Sequence, residues 1–147
     1  MYSIQQLAEW LLAKESMTNK KLQKMAYYSV AWSYALLEKQ VFEEDEFQAW
    51  VHGPVSPVLY HDYKENKWEE IPNNGIEAPK FDGEIEELLE SVWFTYGEET
   101  GNGLEALSHS ERPWIVARSG YSENENCDVV IKKEDMKSFY LSIYEED

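Results

Sequence analysis

The sequence has few of the residues that form metal and redox centres. It contains one cysteine, Cys127, and three histidines among 147 residues. A single cysteine cannot form an internal disulfide, which fits a reducing compartment. His52, His61 and His109 do not have the i, i+4 spacing of a helical zinc pair, and no Cys-x-x-Cys is present. We therefore expect neither a metal nor a cofactor.

Basic residues are also scarce. Lys and Arg number 13 against 29 Asp and Glu, so the formal net charge is −16. Binding to phosphates needs cations that displace counterions, and this charge repels them. We therefore expect no direct contact with nucleic acid or anionic lipid. No apolar run approaches the roughly 18 residues that span a bilayer, and the first residues do not resemble a signal peptide. These features favour a cytoplasmic protein without membrane contact.

Motifs of familiar enzymes are missing too. There is no Gly-x-Ser-x-Gly sequence, and Gly101 and Gly103 are not followed by the Lys-Ser/Thr of a phosphate-binding loop. Cys127 lies among Glu123, Glu125 and Asp128. Nearby carboxylates raise the pKa of a thiol and make it a poor nucleophile. We expect a protein that is not an enzyme and has no catalytic residue.

Aromatic residues, by contrast, are abundant. Six Trp, ten Tyr and five Phe give ample apolar surface for a core in spite of the charge. The length suits one domain, which we place at residues 1–147. Apolar residues recur mostly at helical spacing. The sequence therefore predicts a mainly α fold (α+β with a minor β element) of about six to seven helices plus a short hairpin or strand pair.

Capping residues and apolar periodicity place the elements. Ser3, Thr18, Ser56 and Asp82 are expected to begin four helices. The predicted helices cover about 3–13, 18–37, 57–66, 82–96, 103–108 and 133–144, and a further helix is expected to start near Glu111. A strand is expected at 47–51, ended by the segment 52–57, with residues 129–131 as its partner. Asn74 and Gly75 suggest a small hairpin between Ile71 and Ile76.

The aromatic residues fall into two groups. Trp10, Trp32, Trp93, Tyr27 and Tyr28 lie on predicted helix faces and are expected in the core. Trp50, Tyr60, Trp68 and Trp114 lie in or beside turns, where Trp and Tyr often anchor a partner, although they also serve as hydrophobic plugs. Lys20, Lys21 and Lys24 are expected on the exposed side of the second helix.

Four motifs in order resemble a known family. Residues 18–28 resemble its T-N-x-K-L-Q-K-L-x-Y-Y helix, and residues 47–60 resemble F-x-A-W-x-x-G-P-V-x-P-x-x-Y. Residues 107–114 resemble L-(S/T)-H-x-E-x-P-W, with Ser108 at the position where Thr is usual. Ile131 and residues 134–140 resemble the closing I-x-x-E-x-(M/I)-x-x-Y/F. Because it has these four motifs in order, the chain resembles the SocA-like antitoxin or Panacea domain family, which includes phage-associated GepA-type proteins.

The resemblance implies an interaction protein. Family members are typically antitoxins of two-gene toxin–antitoxin modules and neutralise a protein toxin by direct binding. The namesake also presents its toxin to a cytosolic protease. The resemblance thus implies a toxin encoded by a neighbouring gene, and a protease as a second partner.

The motif residues divide into two predicted roles. The expected partner-binding residues are Trp50, His52, Tyr60, Trp68, His109 and Trp114. The expected fold-specifying residues are Leu22, Gln23, Tyr27, Tyr28, Gly53, Pro54, Pro57 and Pro113. For His109, a hydrogen bond to Glu111 or to a backbone carbonyl is the structural alternative.

Two other functions stay open at this point. A solitary prophage regulator, or an acidic decoy that binds a host protein, fits the charge of −16. An enzyme of unrecognised type would need a concave pocket with perturbed titratable groups.

Overall fold

The structure is a computed structural model that describes residues 1–146, in which seven α-helices and six short strands are formed. Asp147, the last residue of the predicted domain, lies outside the described residues. The helices are α1 (Ile4–Lys14), α2 (Asn19–Leu37), α3 (Pro57–Tyr63), α4 (Gly83–Tyr96), α5 (Gly101–His109), α6 (Arg112–Ala117) and α7 (Lys133–Glu146), and a 3-10 turn at Lys64–Asn66 extends α3. The predicted fold class, mainly α with a minor β element, is confirmed.

Side-chain caps explain where several helices begin. Ser3 and Gln6 form the predicted capping box: the Ser3 hydroxyl accepts from the Gln6 N–H at 3.0 Å, and the Gln6 amide oxygen accepts from the Ser3 N–H at 2.8 Å. The hydroxyls of Thr18 and Ser56 cap α2 and α3 by a single bond each, from the N–H three residues on, and Pro57 occupies the first turn of α3. Asp82 precedes α4 as predicted but makes no side-chain capping bond.

Helix α2 is the centre of the molecule. Every residue from 21 to 31 is buried, and α1, α3, α4, α5 and α7 all pack against this helix. Leu22, Tyr27 and Tyr28 are at most 1% exposed. Of the other aromatic residues expected in the core, Trp10 is buried, whereas Trp32 and Trp93 are partly buried and pack on the core from outside. Because α2 has neighbours on every side, it needs no polar face.

The strands form three separate pairs. β1 (Tyr2–Ser3) runs parallel to β3 (Phe42–Glu43), β2 (Met17–Thr18) antiparallel to β6 (Glu70–Ile71), and β4 (Gln48–Trp50) antiparallel to β5 (Gly53–Val55). A bridge between Gln48 and Val130 confirms the predicted contact between residues 47–51 and 129–131. The bridge is supported by the Ala49 N–H, which donates to the Val129 carbonyl at 2.9 Å.

Two predictions about the β element are wrong. Ile71 does not turn back towards Ile76; it pairs with Met17, far away in sequence. The segment after the strand at 47–51 does not simply end it, because Gly53–Val55 folds back as β5 in register with β4, Trp50 opposite Gly53. Gly53 has a φ of +104°, a conformation that L side chains rarely adopt. This glycine is what allows so short a hairpin.

A buried carboxylate joins three helices. Glu111, at the start of α6, is 6% exposed. Its Oε1 accepts hydrogen bonds of 2.8 Å from the hydroxyls of Tyr28 on α2 and Tyr140 on α7. Burial raises the pKa of Glu111, and the two tyrosine hydroxyls oppose that shift. Glu111 therefore bonds to these tyrosines and not to His109. The other structural alternative for His109, a bond to a backbone carbonyl, is met by Val51.

Candidate functional site

The β4–β5 hairpin and α3 present aromatic side chains together at the surface. The rings of Trp50 and Tyr60 meet edge to face, with centroids 5.0 Å apart. Tyr60 is 41% exposed, and the side chain of His52, in the turn of the hairpin, is 74% exposed. The Trp50 indole N–H donates to the Gln48 amide oxygen at 2.8 Å, which fixes the ring. We call Trp50, His52 and Tyr60 the aromatic corner.

An ion-pair cluster supports the corner from α5. His52 Nδ1 lies 3.2 Å from Glu105 Oε2, and the Lys20 ammonium pairs with the other oxygen of the same carboxylate. Partial burial alone raises the pKa of Glu105, but the hydrogen bonds from Lys20 and His52 outweigh it and hold that pKa below its usual value. Glu105 is therefore ionised at neutral pH and orients the His52 ring.

Gly53 and the Pro residues of the same motif shape the backbone of the corner. Pro54 lies opposite Ala49 in β5, and Pro57 starts α3. The Ser56 N–H, between the two prolines, donates to the Gln23 amide oxygen at 2.7 Å. Gln23 thus ties the hairpin to α2.

The prediction that the lysines of α2 are exposed is wrong for Lys21, which is buried, and for Lys24. Lys24 is 1% exposed, and its ammonium donates to the Pro54 carbonyl at 3.0 Å. A Cβ on Gly53 would lie 2.6 Å from Lys24 Cε, so the lysine stem fills the space that the glycine leaves. Burial lowers the pKa of Lys24 to about 7, although the charge of Glu105 works in the opposite direction. The hairpin therefore rests on a buried amine.

Trp114 and His109 lie behind the hairpin and not on its outer face. Their rings stack with centroids 4.0 Å apart, and the Trp114 indole N–H donates to the Trp50 carbonyl at 2.8 Å. Trp114 is 7% exposed, so it is not the exposed anchor that was predicted. Pro113 beside it is also buried and opens α6. Burial lowers the pKa of His109, which keeps the ring neutral against the indole.

Trp68 stands apart from the corner. It is 84% exposed, and within residues 1–146 no aromatic pair includes it. The structure thus brings Trp50, His52 and Tyr60 together, places His109 and Trp114 beneath them, and leaves Trp68 as a separate exposed ring on the loop after the 3-10 turn.

An open groove of about 940 Å³ lies beside the corner. One wall is the hairpin, with Gln48, Trp50 and His52. The other is the polar loop, with Asn124, Asn126 and Asp128. Arg118, which is 5% exposed, donates to the carbonyls of Ala49 at 2.8 Å and Ser122 at 2.9 Å and to that of Glu125. This arginine fastens the loop to β4.

Arg118 and the groove were missed by sequence reasoning, although one signal pointed to them. Arg118 is one of two arginines in a strongly acidic chain, and it directly precedes a polar loop. A guanidinium has five N–H donors, so it can donate hydrogen bonds to several free backbone carbonyls of such a loop. That residues 122–128 pack beside Trp50 follows only from the tertiary fold.

Within residues 1–146, no group of three or more His, Cys, Asp and Glu side chains is placed to hold a metal ion. No helix in that part of the chain is long and apolar enough to cross a membrane.

The fold and the corner define a mainly helical domain with an aromatic surface at one hairpin. The chain belongs to the family described as "Antitoxin SocA-like, Panacea domain", which matches residues 22–115 and so includes the corner. The protein named Antitoxin SocA from Caulobacter vibrioides (strain NA1000 / CB15N) is 33% identical over 133 residues, which cover 78% of this chain and 70% of that protein. No solved structure gives a significant match.

Proposed function

We propose that this chain is the antitoxin of a bacterial or prophage toxin–antitoxin module and that it neutralises a protein toxin by direct binding. Membership of the antitoxin family carries the proposal. In this proposal the chain acts without catalysis, in the cytoplasm, on a toxin encoded by a neighbouring gene. Residues 1–147 act as one domain, a view supported by the packing of both α1 and α7 on α2.

The aromatic corner is the surface we assign to toxin contact. Trp and Tyr supply much of the binding energy in protein interfaces because they bury a large area at little entropic cost. Trp50 and Tyr60 are held in place by each other and by Gln48 before any partner arrives. A rigid aromatic surface loses less entropy on binding than a mobile one.

A growth-rescue assay tests both the function and the surface. The adjacent reading frame is expressed from an inducible promoter, with and without this chain. We expect toxicity that the wild-type chain abolishes and a complex that co-purifies. Tyr60→Ala and Trp50→Ala should weaken rescue, whereas Trp68→Ala, an exposed Trp outside the corner, should not. The thermal unfolding of each variant shows whether it is folded.

The outcome also separates the alternatives. If neither neighbouring gene is toxic, the paired-module function is wrong, and the charge of −16 favours a solitary regulator or acidic decoy that binds a host protein. If rescue occurs, the half-life of the toxin distinguishes two mechanisms. Occlusion leaves the half-life unchanged, whereas presentation to a cytosolic protease, which the family resemblance implies, shortens it.

A further inference from the structure

The groove beside the aromatic corner has the chemistry of a peptide site. The amides of Gln48, Asn124 and Asn126 line it, and each amide side chain has both donors and acceptors. An extended peptide backbone needs such acceptors for its N–H groups and such donors for its C=O groups. Trp50 adds an aromatic surface on the hairpin side, and its indole N–H already bonds to Gln48. The groove therefore suits an extended segment better than a compact, apolar small molecule.

The charge of the groove selects a cation. Asp128 is exposed in the groove, and within residues 1–146 it forms no ion pair with Lys, Arg or His. Glu123 and Glu125, on the same loop, are exposed and likewise form no ion pair in the described part of the chain. His52 is the basic side chain of the lining, and it is paired with Glu105. A groove lined by both an unpaired carboxylate and an aromatic ring favours a positively charged side chain.

Arg118 makes the groove rigid without neutralising it. Its guanidinium is buried and donates to the backbone carbonyls of Ala49, Ser122 and Glu125. Because these donors are used by carbonyls, the loop is fixed to β4 while its carboxylates keep their charge. A wall that is already ordered costs little entropy when a ligand binds.

We propose that this groove binds an extended segment of the toxin that carries an arginine side chain. The guanidinium stacks against Trp50 and pairs with Asp128, while the amides hold the neighbouring backbone. Arginine fits better than lysine because its planar group stacks on an indole and forms two parallel hydrogen bonds with one carboxylate. This inference rests on the proposed function, since it names the part of the toxin that the groove receives.

The test uses the full chain alone and needs no toxin. The probe is the capped peptide acetyl-Gly-Ser-Arg-Ser-Gly-amide, titrated to about 10 mM, a range in which NMR detects millimolar binding. We expect amide shifts confined to residues 48–52 and 122–128 and a shift of the Trp50 indole N–H. The lysine peptide should bind several-fold more weakly, and the citrulline peptide, which has the shape of arginine without its charge, should give no shifts.

Two variants complete the test. Asp128→Asn should raise the dissociation constant of the arginine peptide about tenfold or more. Glu87→Gln, which removes an exposed charge from α4, should leave that constant unchanged. The proposal is overturned if no shifts occur, if they spread over the acidic surface, if citrulline binds as well as arginine, or if Asp128→Asn and Glu87→Gln behave alike. Each of these results leaves the antitoxin proposal intact, because growth rescue tests that separately.

Discussion

Lys24 is a buried amine that donates to a neutral carbonyl, that of Pro54. Burying a charged ammonium is costly, which is why burial lowers its pKa to about 7 from the ordinary 10.5. The unfolded chain therefore binds more protons than the folded chain between about pH 7 and pH 10.5, so this group makes stability rise with pH over that interval.

Lys24→Met should remove that dependence. We expect the variant to be more stable relative to the wild type at pH 7 than at pH 9.5, because the wild type alone gains stability as Lys24 loses its proton. Urea unfolding at the two pH values measures the difference. Lys80→Met, at an exposed position, is the matched control and should show the same difference from the wild type at both pH values. A pH-independent effect of Lys24→Met would contradict the assignment of a low pKa.

Gly53 allows a second test of the packing around Lys24. An alanine there must adopt a φ of +104° and place its Cβ 2.6 Å from Lys24 Cε. We expect Gly53→Ala to lower the free energy of unfolding by about 2–4 kcal/mol, from backbone strain and the displaced lysine together. Gly120→Ala shares the strain, with a φ of +90°, but its Cβ would have no neighbour within 4 Å. Denaturant unfolding should show the smaller loss at Gly120, and equal losses would mean that Lys24 contributes nothing.

At the scale of elements, local signals were sufficient for the helices. The capping box of Ser3 and Gln6 and the apolar spacing from Ile85 to Tyr96 depend only on neighbours in sequence, and both helices form as predicted. The β2–β6 pair joins Met17 to Ile71, and no turn signal near Ile71 contains that information. Such pairs form only because the packing of the helices brings strands from distant parts of the sequence together.

The burial of Lys24 was unpredictable for a related reason. The charged residues Lys20, Lys21 and Lys24 imply an exposed face on an isolated helix. In the folded chain the hairpin and α5 cover that face, because Gly53 leaves room for the lysine stem. Trp50 and Tyr60 were expected at the surface from their positions in or beside turns. The same argument misplaced Trp114, because a turn residue can also point inwards.

The contact of α2, α6 and α7 at Glu111 gives an element-scale prediction. Glu111→Ala leaves the hydroxyls of Tyr28 and Tyr140 without their acceptor, and we expect it to cost about 2–4 kcal/mol in urea unfolding at pH 7. Glu111→Gln keeps an acceptor of the same shape and should cost under about 1 kcal/mol. Equal losses for the two variants would show that the hydrogen bonds do not hold the helices together.

The Glu111 carboxylate also makes the free energy of unfolding depend on pH. Burial raises the pKa of Glu111, so the folded chain keeps its proton to a higher pH than the unfolded chain does. The stability from this group is fully present below its ordinary pKa and is lost as pH rises through the raised value. Glu111→Gln should therefore become more stable relative to the wild type as pH rises from 4.5 to 7.

At the scale of the whole molecule, the net charge of −16 concerns kinetics more than fold. Like charges spread over the surface destabilise the compact state slightly, yet they attract a cationic partner over distances of about a Debye length. Exposed acids such as Glu84, Glu87 and Glu90 on α4 contribute to this field. The groove and corner, in contrast, act only at contact. The overall charge should therefore affect the association rate constant, and the groove and corner the dissociation rate constant.

We expect association with the toxin to slow steeply as salt rises from about 0.05 to 0.5 M, while dissociation changes much less. Replacing Glu84, Glu87 and Glu90 together by Gln should lower the association rate constant at low salt and leave dissociation almost unchanged. Tyr60→Ala should do the reverse, because a lost contact shortens the life of the complex. Stopped-flow mixing and surface-binding kinetics measure both constants. If the triple variant speeds dissociation instead, those glutamates lie within the interface, and the toxin covers α4 and not the aromatic corner alone.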